Sequence, residues 1–148
     1  MDKAELKEIL EQHKIWIESE GEKGKRAKLE GANLQDANLA CTNLKGALLK
    51  GALLKDAYLY CSILEGANLE GANLEGANLE GANLKYANLI GANLEDASLG
   101  DANLVCAKYS IEIRECSYFD KASVSKEQLY WLALHPLFKE FLPTLKIK

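Results

Sequence analysis

Leucine recurs at every fifth residue from Leu29 to Leu104, sixteen times without a gap. A small residue stands two places before each one, alanine at fourteen units and Thr42 and Ser62 at the other two. The residue between them is asparagine at ten units, among them Asn33, Asn73 and Asn103. A fixed internal period takes precedence over local propensity. Five residues advance an α-helix by about 140°, so the leucines would spiral around it. On a flat strand an odd spacing sends successive leucines to opposite faces. The pattern instead predicts a short extended piece and a bend, repeated, with every leucine and every small residue turned to one dry axis. Asn, Glu, Lys, Gly and Asp then fall outside. Alanine suits an interior too narrow for a second large side chain, and a glycine such as Gly31, Gly46 or Gly71 eases the bend.

The flanks follow other periods. Leu6, Ile9, Leu10, His13, Trp16 and Ile17 mark one face of a helix over residues 2–19. Asp2 with Glu5 is a capping-box pattern, and Gly21 is a stop. Residues 20–25 form a polar connector. At the other end Ser125 with Gln128 repeats the capping pattern, Leu129, Leu132 and Ala133 follow, and Pro136 ends the helix. A stack of extended turns has two open ends that must be covered, so both flanks are read as caps. The organisation is then 1–25 for the N-terminal helix and connector, 26–125 for the repeat, and 126–148 for a C-terminal helical cap. The C-terminal flank holds more apolar surface than one helix face buries. Tyr130, Trp131, Leu134, Phe138 and Phe141 either cover the last turn or form a dimer surface.

The unit Ala72-Asn73-Leu74-Glu75-Gly76 resembles the repeat of the pentapeptide-repeat family, and the resemblance runs over roughly residues 26–125. It implies an all-β solenoid, a right-handed quadrilateral β-helix with four units and twenty residues per coil. Units centred on Leu29 through Val124 then make about five coils, a rod roughly 24 Å long at the usual strand spacing. At a spacing of twenty, Glu30, Lys50 and Glu70 align, as do Lys45, Glu65 and Lys85. A spacing of fifteen also pairs Glu30 with Lys45 and Lys50 with Glu65, so the charges leave the coil size open.

Three departures from the repeat stand out. In the second coil the outward positions carry Leu48, Leu53, Tyr58 and Ile63 in place of Asn, with Tyr60 nearby. They are either side chains that suit extended backbone or a partner-binding belt. In the last coil Tyr109, Arg114, Phe119 and Val124 replace leucine, and Glu112 takes a small-residue slot. A buried Arg and Glu are costly unless paired, so residues 111–116 are expected to bulge or shift register, with Ile113 turned inward. Third, Cys41 and Cys61 lie twenty apart. They are read first as free thiols, with a disulfide or a metal site as alternatives.

The remaining chemistry is sparse. There is no CxxC, P-loop, dinucleotide-binding glycine pattern or serine nucleophile elbow. His13 and His135 have no neighbours that suggest a nucleophile or a metal centre. Asp36, Asp56 and Asp96 are read as a solvated face. No catalytic, cofactor-binding or metal residue is assigned, and an enzyme is not expected. The N-terminus is charged and no run of about 18 apolar residues exists, so a cytoplasmic chain without a membrane span is expected. The net charge of −4 argues against direct nucleic-acid binding. The reading that follows is a non-enzymatic protein-interaction scaffold. The family resemblance supplies an alternative, because some members imitate a DNA duplex and bind DNA gyrase. Over residues 26–125, however, nine Lys and Arg stand against thirteen Asp and Glu, which dilutes any acidic stripe.

Overall fold

The computed structural model describes residues 1–109 and, beyond them, the backbone of residues 123–124 and 146–147. The chain opens with helix α1, Lys3–Glu18, whose N-cap Asp2 accepts a hydrogen bond from the Glu5 N–H at 2.7 Å. The helix ends where Glu20 and Gly21 turn left-handed, with φ of 54° and 93°. Its apolar face is the expected one. Leu6, Ile9 and Leu10 pack on the repeat core and His13 is fully buried. The connector doubles back along the helix, and the Lys25 N–H donates to the Gln12 carbonyl at 3.1 Å.

From Ala27 onward the chain winds with four parallel bridges per turn. Lys28 pairs with Leu48, Asn33 with Leu53, Asn38 with Tyr58 and Asn43 with Ile63. The same step of twenty repeats down to the pairing of Asn88–Leu89 with Lys108–Tyr109. The column Lys28, Leu48, Asn68, Asn88, Lys108 therefore marks four full turns. Coil size, ambiguous from the charges, is settled by this register. Within the winding, the leucines from Leu29 to Leu104 are at most 3% exposed, and alanines such as Ala47, Ala77 and Ala102 fill the gaps between them.

Five residues suffice because each backbone N–H in the unit has a destination. In the unit of Ala72 to Gly76, Ala72 donates across the corner to Leu69, Asn73 to Ala52 in the coil before, and Leu74 to Asn93 in the coil after. Gly76 donates to Glu95 in the coil after. The fifth N–H, that of Glu75, is taken by the Asn73 side-chain Oδ1 at 3.1 Å. All ten repeat asparagines do the same for the residue two places on. Asparagine is thus part of the corner, an Asx turn repeated. The residue three places after it is always left-handed. From Gly31 to Cys106 every corner has φ between 54° and 69°, and Asp, Cys and Tyr occupy it as well as glycine.

Of the expected C-terminal helical cap at 126–148, the described part is Lys146–Ile147, which is extended and pairs in parallel with Ser123–Val124. The remainder, the segment 111–116 and the fifth coil's closure lie outside the described residues.

Candidate interaction surface

The second coil places Leu48, Leu53, Tyr58 and Ile63 on four different bridge columns at one level. They form a ring around the rod, each with a polar residue above and below. Leu53, Tyr58, Tyr60 and Ile63 are 46%, 53%, 44% and 37% exposed, while Leu48 is half-buried. Every other described outward strand position is Asn, Lys or Ser.

The four corners of this coil are unlike. Lys45 meets Glu65 at 2.9 Å, Lys50 meets Glu70 at 2.8 Å, and Lys55 meets Glu75 at 2.7 Å, each pair joining residues twenty apart. The hydrogen bond from Lys45 holds the Glu65 carboxyl below its usual pKa, and the bond to Glu75 pushes the Lys55 ammonium above its own. Such exposed pairs add little stability, but they set the chemistry of their corners. Lys50 separates Leu48 from Leu53, and Lys55 with Asp56 separates Leu53 from Tyr58. Glu65 closes the far side of Ile63. The fourth corner has no charge of its own: it runs Tyr58, Tyr60, Cys61, Ile63 through consecutive outward positions, with Ala40 and Cys41 one coil before and Glu80 and Gly81 one coil after. The ring foreseen from the sequence therefore resolves into one contiguous apolar corner and two isolated leucines.

This coil lacks at all four of its corners the asparagine that closes ten of the corners elsewhere; among the leucine units outside it only those of Lys28 and Ser98 go without. Residues Lys50, Lys55, Tyr60 and Glu65 follow Leu48, Leu53, Tyr58 and Ile63, so none can receive the Asx hydrogen bond made by the ten Asn units.

Other expected positions fall elsewhere. Asp36, Asp56 and Asp96 share one corner column, with Gly76 interposed, and the Asp56 carboxylate lies directly over Gly76. Among the described residues no three His, Cys, Asp or Glu side chains gather as a metal centre. Cys41, Cys61 and Cys106 are free and exposed. Tyr130, Trp131, Leu134, Phe138, Phe141 and His135 lie outside the described residues. Sequence reasoning missed Tyr86, an exposed aromatic in a left-handed corner. With Trp16 it walls a cleft of about 440 Å³ floored by Gly46 and Gly66. Its signal was a bulky residue in a glycine slot. No described helix is long and apolar enough to cross a membrane.

The solenoid, its Asn corners and its leucine column define a class of repeat rod, and comparison with known proteins names it. The sequence matches the family of pentapeptide repeats, in eight copies over residues 25–56 and 62–101. The protein belongs to that family. The unmatched gap, 57–61, holds Tyr58, Tyr60 and Cys61. A crystal structure of a pentapeptide-repeat protein from the cyanobacterium Cyanothece 51142 is 44% identical, with 61% of each chain covered and a TM-score of 0.59. One from Nostoc PCC 7120 is 26% identical, with 93% of each chain covered and a TM-score of 0.56. One from the Arabidopsis thaliana thylakoid lumen is 25% identical, covering 72% of this chain and 74% of that one, with a TM-score of 0.43. Among curated proteins there is no match.

Proposed function

We propose that this protein is a non-enzymatic scaffold whose second coil binds a protein partner, chiefly through the corner formed by Tyr58, Tyr60, Cys61 and Ile63. One observation carries the reading. At this coil alone, four corner hydrogen bonds that the repeat makes elsewhere are given up for exposed apolar side chains. A net hydrogen bond is worth about 0.5–1.5 kcal/mol, and exposed apolar area gains nothing in the free protein. A bound partner would recover that area.

The reading is tested by affinity capture from the native cell with two double variants. Tyr58→Asn/Ile63→Asn is expected to keep the fold and lose the partner. Leu48→Asn/Leu53→Asn is expected to keep both. A partner held equally by the first variant would remove the corner from consideration.

The DNA-imitating alternative needs uninterrupted acidic columns. Three outward carboxylates, Glu65, Glu70 and Glu75, are instead matched by lysines one coil before, which favours the scaffold reading. A gyrase supercoiling assay separates the two.

A further inference from the structure

Two thiols stand at the corner of Tyr60 and Cys61 and are unused by the fold. Cys41 and Cys61 occupy the same corner on consecutive coils. The Cys41 N–H donates to the Tyr60 carbonyl at 2.9 Å, and the Cys61 N–H donates to the Glu80 carbonyl at 2.8 Å, so the two backbones differ by one coil step. Both residues have φ of 54°. Both side chains are free and exposed. They therefore leave the corner in parallel. Gly81 shows where they lean: a methyl group built on it would lie 3.4 Å from the Cys61 sulfur. The Cys61 thiol reaches toward the next coil, and a thiol on Cys41 in the same conformation reaches toward Cys61.

The geometry points to a two-thiolate site for a soft, two-coordinate cation of the monovalent copper type, bridged between Cys41 and Cys61. Spacing decides the ligand. Parallel strands lie about 4.8 Å apart. A disulfide asks for Cβ atoms about 3.5–4.5 Å apart and sulfurs about 2.05 Å apart, and parallel side chains on neighbouring coils oppose both. Zinc–sulfur bonds are about 2.3 Å and two-coordinate cuprous–sulfur bonds are slightly shorter, so a linear sulfur–metal–sulfur unit spans a little less than about 4.6 Å, near the coil step. Zinc asks for four ligands, and no group of three His, Cys, Asp or Glu gathers among the described residues. Thiolates select soft cuprous ion over hard cations. On binding, each thiol gives its proton to solvent and each sulfur donates a lone pair. The metal keeps its oxidation state, so no electron acceptor is required.

The test uses the full chain carrying Cys106→Ser and Cys116→Ser, reduced and without oxygen. Cuprous ion is supplied as its complex with bathocuproine disulfonate, whose colour reports metal still in the chelator. One equivalent is expected to pass to the protein, with two sulfur neighbours by X-ray absorption. Adding Cys41→Ser or Cys61→Ser is expected to weaken retention beyond the roughly 10–100-fold that changing an outer hydrogen-bond partner of a ligand costs, with the circular dichroism unchanged. Equal retention by the serine variants overturns the site, as does one ion shared between two chains. Rapid closure of a Cys41–Cys61 disulfide by hydrogen peroxide also overturns it, because the sulfurs would then reach bonding distance with ease.

Discussion

The imidazole Nδ1 of His13 accepts a hydrogen bond from the backbone N–H of Ala27 at 3.1 Å. This bond joins α1 to the first residue of the winding, and it requires a neutral ring with its proton on Nε2. The ring is wholly buried and stacks on Trp16, with centroids 5.5 Å apart. Arg26 lies over the same indole at 5.8 Å. Burial, and after it the Arg26 charge, lower the pKa of His13, while the Lys45 carbonyl pulls weakly the other way.

Acid should therefore loosen the helix. A depressed pKa means that the unfolded chain takes up a proton first as pH falls through 6.5. The stability due to neutral His13 is complete above that value and is lost progressively below it. Thermal melts between pH 8 and 5 should show a falling Tm with an early loss of protection at the Ala27 amide. His13→Gln should be less stable at pH 8 and should flatten the slope. A wild-type Tm that is level down to pH 5 would sink this account.

Gly24 should be far less replaceable than Gly31. Both are left-handed, with φ of 69° and 64°. A methyl group on Gly24 would strike the Gln12 carbonyl and come to 2.7 Å from the Trp16 amide, both of them helix backbone. A methyl group on Gly31 meets nothing within 4 Å. Gly31→Ala should cost about 1–2 kcal/mol, the penalty of the left-handed conformation alone. Gly24→Ala should cost more than Gly31→Ala and should uncouple α1 from the coils. Urea melts of the two variants give the comparison directly.

How far the sequence foretold this molecule depends on which physical term wrote each position. The leucines and alanines announce themselves because a dry, narrow axis admits nothing else at that spacing. The helix face from Leu6 to Ile17 is legible for the same reason, as is the Asp2 cap. The role of asparagine was not legible. Asn73 looks like any polar outward residue until the Glu75 N–H is seen to need its Oδ1. The corner conformation was half legible: Gly71 suggests it, whereas Cys61 and Tyr86 hide it, because a backbone ladder on both sides imposes positive φ on residues that disfavour it. The uncharged corner at Tyr58 and Ile63 emerged only once the step of twenty had matched each lysine with its glutamate.

If asparagine closes the corners, installing it in the second coil should stabilise the free protein. Leu53 and Tyr58 are about half exposed, so little burial is lost on replacement. Each new Oδ1 would reach the N–H of Lys55 or Tyr60, as in the units before and after. Leu53→Asn and Tyr58→Asn should each gain on the order of 0.5–1 kcal/mol, read as a rise in the midpoint of chemical unfolding. Destabilisation by either change would mean that the apolar side chains hold the coil together, and the scaffold reading would lose its main support.

Ser62 offers the cleanest single-atom experiment in the core. Its slot holds alanine in fourteen of sixteen units, and its side chain is 1% exposed. The hydroxyl has no hydrogen-bond partner. Thr42, one coil earlier in the same slot, is only partly buried, and its hydroxyl donates to the Ala40 carbonyl at 3.4 Å. A buried hydroxyl without a partner costs about 1–3 kcal/mol relative to water. Removing one oxygen leaves a cavity smaller than a methyl group, and alanine already packs in the flanking slots at Ala57 and Ala67. Ser62→Ala should therefore raise stability by about 1 kcal/mol. Thr42→Ala should be neutral or slightly destabilising, because its hydroxyl is already satisfied. Equal effects from the two substitutions would show that the difference in burial between the slots does not govern their energetics.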